Sequence, residues 1–214
     1  MSNLSRKRYY HRNLPHDVPP GATFFVTFRL ADSVSPGGVS RLRNDAQKRY
    51  ARCDKEESLA LRKRARELEQ RRTFGRWDVA LAEGYGECHL RNPKIAAILV
   101  DSLEHWNEKR YDLLAYTIMP NHAHILFTPL ETERGGYYTL GHIMQSLKGY
   151  TARMANRALN RSGSFWQHES YDRWVRNDAE LERIVAYILE NPVNARLVQE
   201  WNEWPWSYCK WMAP

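Results

Sequence analysis

A chain of 214 residues with 43% hydrophobic content can fill one good core, which argues against disorder of the whole and favours one main domain with an elaboration. With 32 Lys and Arg against 25 Asp and Glu, the formal charge of +7 favours a polyanionic partner. Cys53, Cys88 and Cys209 form no Cys-x-x-Cys, and no apolar run reaches the roughly 18 residues of a membrane span, so a soluble, cytoplasmic protein without disulfide frame, zinc knuckle or membrane partner is expected.

Residues 1–20 combine Arg6, Lys7, Arg8 and Arg12 with aromatic residues and three prolines, the composition of an extended basic arm or of a solvated tail; no apolar h-region follows Met1. Gly21 to Leu30, containing Phe24-Phe25-Val26-Thr27-Phe28, is aromatic and β-branched enough for a central strand. After Pro36-Gly37-Gly38 the chain turns charged and helix-prone. A helical insertion is expected over 39–72, with a broken apolar stripe through Leu42, Tyr50, Leu61 and Leu68. Its Arg62-Lys63-Arg64 cluster is interleaved with glutamates, which favours a solvated helix face over a DNA contact.

Asn92-Pro93 starts a helix, by a side-chain cap followed by proline in the first turn, and Ile95, Ile98, Leu99, Leu103 and Trp106 recur at helical spacing behind it. Tyr111 to Met119 and His122 to Pro129 read as two strands joined at Met119-Pro120-Asn121. An amphipathic helix is expected from about Thr139 to Leu159. A short strand follows at Tyr171 to Val175, then a last helix capped by Asn177 or Asp178 and stopped by Asn191-Pro192. Residues 193–214 form a Trp-rich tail whose rings are expected to cover the sheet or a helix. The order strand, helix, strand, strand, helix, strand is that of an α+β, ferredoxin-like βαββαβ sandwich with an antiparallel sheet, an inserted helical region and an extra C-terminal helix.

Chemistry concentrates at His122-Ala123-His124. Alternate residues of a strand share a face, so both imidazoles can converge on one cation, as half of a metal site. On the last helix Tyr187 and Asn191 lie one turn apart and can meet the same object. Two imidazoles, an amide oxygen and a phenol suit phosphodiester cleavage by covalent catalysis, in which the tyrosine attacks phosphorus and the bond energy is kept for rejoining. Taken singly, Tyr187 also fits a half-buried helix tyrosine and Asn191 a helix-ending residue. Tyr150 is a rival nucleophile with no ligand-type residue four positions on. No residue identifies itself as the base.

Three ordered motifs, Met119-Pro120-Asn121-His122-Ala123-His124, Gly163-Ser164-Phe165-Trp166-Gln167 and Tyr187-Ile188-Leu189-Glu190-Asn191-Pro192-Val193, resemble those of the REP-associated tyrosine transposases. These belong to the single-tyrosine branch of the HUH nucleases, named for histidine, hydrophobe, histidine. The resemblance extends from Arg12-Asn13-Leu14-Pro15 to Trp204-Pro205-Trp206-Ser207, and so treats 1–214 as one HUH-type transposase domain. It implies His122 and His124 as metal ligands, Asn191 as the third where related transposases carry glutamine, Tyr187 as nucleophile, and Mg2+ or Mn2+ as cofactor. The small Ala123 between the histidines is a departure, as is Cys209 in a tail often richer in serine.

The implied activity is that of an endonuclease and strand transferase acting on single-stranded DNA with palindromic hairpins, as monomer or homodimer. Phosphate and base contacts are expected from Arg12 and Asn13 in the arm, Lys148 and Arg153 on the helix after the third strand, and Trp166, Arg173 and Arg176 near the rim. A rival reading is a non-catalytic palindrome-binding regulator of the same fold. A two-histidine phosphoesterase would need two His-x-Thr/Ser motifs, and only His168-Glu169-Ser170 is present.

Overall fold

The computed structural model describes residues 19–212. Arg12, Asn13 and the rest of the basic arm before Pro19 lie outside them. Strand β1 (Phe24–Arg29) leads into helices α1 (Pro36–Cys53) and α2 (Leu59–Ala82), then α3 (Pro93–Trp106), β2 (Tyr111–Ile118), β3 (His122–Pro129), α4 (Leu140–Ala158), β4 (Tyr171–Trp174), α5 (Asp178–Asn194) and β5 (Ser207–Cys209). The sheet runs β4-β1-β3-β2-β5 with every pairing antiparallel; its first four strands have the ferredoxin-like order, in an α+β fold.

Local chemistry sets the helix starts. Side-chain oxygens of Ser35, Ser58, Asn92, Thr139 and Asn177 each accept a hydrogen bond from the first turn of the helix they precede. The inserted region is two helices broken at residues 54–58, and α2 continues ten residues past Arg72.

The last helix does not stop at Asn191-Pro192. Pro192 lies inside α5, which runs on to Asn194, with the Ala195 N–H bonded to the Asn191 carbonyl. The missing proline N–H falls in the final turn, where it breaks one bond of a ladder that is already ending, and the ring is buried. The tail adds β5 to the edge of the sheet, a strand with no alternation to announce it.

Each face of the sheet has its own core. Phe24, Val26, Phe28, Tyr111, Leu113, Ile118, Ile125 and Phe127 pack against α3 and α4. Phe25, Leu114, Ala115 and Leu126 pack against Ile184, Val185, Ile188 and Leu189 of α5, with Phe74 of α2 at the border. A bulge between Leu113 and Ala115 lets Leu114 and Ala115 both face α5. The final helix therefore lies across the sheet rather than free at its rim. Of the tail rings, Trp201 joins the α5 side and Trp206 the opposite one, while Trp211 is exposed.

Candidate metal and nucleophile site

His122 and His124 project from β3 onto the α5 side, directly across from Arg29 and Thr27 of β1. Both are buried, and their Nε2 atoms face each other at 3.1 Å. Their neighbours decide which nitrogens carry protons. Asn121 donates its Nδ2 to the Leu81 carbonyl at 3.0 Å, which leaves its Oδ1 to face His122 Nδ1 at 2.7 Å. A carbonyl oxygen can only accept, so His122 Nδ1 is the protonated nitrogen and its Nε2 presents a lone pair. His124 Nδ1 is held by Thr27 Oγ1 at 2.7 Å.

Burial pushes the His122 imidazole down to about 3, and burial and the neighbouring His122 hold His124 well below its ordinary range. Both rings are thus in the neutral, ligating form. Two such nitrogens 3.1 Å apart can each sit at the roughly 2.1 Å of a metal–imidazole bond around one cation, so the donor set fits a divalent metal. A carboxylate joins them: ligand atoms of Asp78, His122 and His124 all lie within 4.8 Å of one another.

Tyr187 reaches this cluster from α5. Its hydroxyl donates to Asp78 Oδ1 at 2.5 Å and lies 3.5 Å from His124 Nε2. Asn191, one turn on, lies near enough to the phenol to favour its ionised form. Burial, then the Asp78 charge and hydrogen bond, push the phenol far above its ordinary value. Burial raises Asp78 too, against the hydrogen bond from Tyr187. Phe25 stacks on His124, and Phe74 meets Tyr187 edge-on with centroids 5.8 Å apart, so apolar rings wall the cluster.

The structure thus brings together His122, His124, Tyr187 and Asn191. It adds Asp78, Asn121 and Thr27, which the sequence reading did not single out. A signal existed for Asp78: Phe74, Trp77 and Leu81 continue an apolar stripe at helical spacing beyond Leu68, with an acid in its midst.

The expected DNA contacts fare differently. Lys148 is half-buried, its Nζ donating to the carbonyls of Gln167 and His168 at 2.7 and 2.9 Å and to Ser170 Oγ at 3.2 Å. Arg153 is exposed on α4. Trp166 is not available to stack on a base: it is 6% exposed, lies edge-on to Phe28 and Phe165, and its indole N–H bonds Thr151. Arg173 is paired with buried Glu180, and Arg176 holds both oxygens of Glu67 at 3.0 and 2.9 Å.

The family model described as "Transposase IS200 like" matches residues 94–191, under half of the chain but including His122, His124, Tyr187 and Asn191. A Haemophilus influenzae protein named "Putative REP-associated tyrosine transposase" is 28% identical over 102 residues, which are 45% of this chain and 58% of that one. The chain thus spans little more than half the length of this curated relative. A solved structure described as "Structure of the REP associates tyrosine transposase bound to a REP hairpin" is similar with a TM-score of 0.47 and 16% identity, over 97% of this chain and 82% of the other. Family model and curated relative both fall on the family that the motifs resemble.

Proposed function

Because residues 94–191 match the IS200-like transposases, we propose that the protein is a metal-dependent nuclease and strand transferase that acts on single-stranded DNA with REP-type hairpins through a phosphotyrosine at Tyr187. The observation that carries this reading is the Tyr187 hydroxyl, 3.5 Å from a ligating-form imidazole and hydrogen-bonded to a carboxylate.

His122, His124 and Asn191 would hold Mg2+ or Mn2+, with Asp78 in reach of the same point, and the cation would supply Lewis-acid polarisation of the scissile phosphate. Tyr187 Oη attacks phosphorus and its proton passes to Asp78 Oδ1, the acceptor it already faces. Asn191, beside the phenol, favours its charged form at the moment of attack. As the new P–O bond forms, the bond to the leaving sugar oxygen breaks, and that oxygen takes a proton from solvent to become a free hydroxyl. Rejoining is the same displacement reversed, with Asp78 returning the proton. Thr27 and Asn121 keep the imidazoles in register throughout.

One chain can supply all these groups, which suits a monomer and leaves room for a homodimer. Lys148 and Arg153 on α4, and Arg173 and Arg176 once released from their carboxylates, would contact phosphates of the bound strand, joined by Arg12 and Asn13.

The test is incubation with single strands carrying the palindromes that flank the gene, in Mg2+ or Mn2+. A denaturation-resistant protein–DNA product is expected, absent when chelator replaces the metal. Binding of the hairpin strands without any such product would overturn the catalytic reading in favour of a palindrome-binding regulator.

A further inference from the structure

We propose that Arg29 holds a phosphate of the substrate strand beside Tyr187, an assignment that rests on the strand-cleaving reading above. Arg29 stands at the end of β1 directly across from His122, so its side chain leaves the sheet on the side that carries the cluster. It is 8% exposed, and among the described residues it forms no ion pair with a carboxylate. Its hydrogen bonds are few: Nη1 reaches Ser33 Oγ at 3.1 Å and the Leu30 carbonyl at 3.4 Å, which leaves Nε and Nη2 without an acceptor among the described residues.

An unpaired guanidinium is expensive to bury, and a well-packed apolar residue would fill the same space at lower cost. The surroundings keep the charge without neutralising it. Trp77, next to Asp78 on α2, lies against the guanidinium with its ring centroid 4.8 Å away, fixing the side chain without consuming a donor. The nearby carboxylate, Glu169, is already engaged by Arg43 at 2.7 Å.

The Lys148 ammonium feels the Arg29 charge, with its own donors already taken by Gln167, His168 and Ser170. Burial pushes the Lys148 ammonium down to about 8, and the Arg29 charge adds to the depression. A buried guanidinium without a carboxylate partner among the described residues, on the side of the sheet that carries a nucleophile whose target is a phosphate, calls for an anion. The free Nε and Nη2 edge of Arg29 offers the parallel pair of donors that a phosphodiester accepts, which a lysine cannot reproduce.

The experiment uses the full chain and its Arg29→Gln and Arg29→Lys variants, each checked for an unchanged circular dichroism spectrum. Affinity for an oligothymidylate single strand is measured across a range of salt concentrations. Arg29→Gln is expected to bind about tenfold more weakly and to lose about 0.7 from the slope of log K against log salt. Arg29→Lys is expected to recover the slope but not the full affinity.

On the cleaved hairpin strand, a neutral methylphosphonate is then placed at each linkage around the cut. At the linkage that Arg29 grips, it weakens the wild type and costs Arg29→Gln nothing further. An unchanged salt slope in a folded Arg29→Gln, or full additivity at every linkage, overturns the assignment while leaving the tyrosine chemistry standing. A wild type that shows the Arg29-dependent slope but never forms the covalent product overturns the catalytic reading alone. A wild type that binds no single strand overturns both.

Discussion

The two faces of the sheet are built to different rules. Against α3 and α4, strand side chains such as Val26, Phe28, Ile125 and Phe127 are apolar and close-packed. Against α5 and α2, an apolar rim of Phe25, Leu126, Ile188 and Phe74 encloses Thr27, Arg29, Asn121, His122 and His124, all buried and polar. Burying polar groups costs stability unless each has a partner, so the first face secures the fold and the second gives up part of that security to the site proposed for the chemistry.

The sharpest way to break this contrast is Tyr187→Phe. It should abolish the covalent DNA product while leaving hairpin binding within about twofold, as read by denaturing gels and fluorescence anisotropy. A surviving adduct would move the nucleophile elsewhere. Next in size is Asp78→Asn, which keeps the shape but cannot take the phenol proton; single-turnover adduct formation should slow by about 10²–10⁴-fold. An unaffected rate would remove Asp78 from the chemistry.

On the opposite face, Leu99→Ala should cost about 2–5 kcal/mol in urea melts, because it hollows a fully buried site, yet the folded fraction should form adduct at an unchanged rate. The smallest expected effect is in acid. Without metal, stability should fall as the pH drops below about 6.5: the unfolded imidazole takes up a proton there, whereas folded His122, held down to about 3, does not. In that window the unfolded state binds more protons, so the loss by pH 5 is on the order of 1–2 kcal/mol. His122→Gln should remove that part of the slope.

Legibility in the sequence followed locality. The alternation and turn around Met119-Pro120-Asn121 placed β2 and β3 almost to the residue, and Asn92-Pro93 announced α3, because the determining contacts are a few residues apart. Tyr187 and Asn191 could be paired from helical spacing alone. What escaped was set by distant partners. Asp78 sits 109 residues before the tyrosine it accepts from. Trp166 looked like a stacking platform because nothing local says that Thr151 and Phe28 will enclose it. Arg173 and Arg176 looked free because Glu180 and Glu67 come to them through the fold.

The Asn121 bond to the Leu81 carbonyl has a practical consequence for anyone trimming this molecule. The α1–α2 hairpin resembles a detachable ornament on a compact scaffold, yet its closing turn fixes, through one amide, which nitrogen of His122 is bare. A shortened version lacking 36–82 would keep the five strands and lose the setting of its own imidazole, so the smallest working unit includes the hairpin.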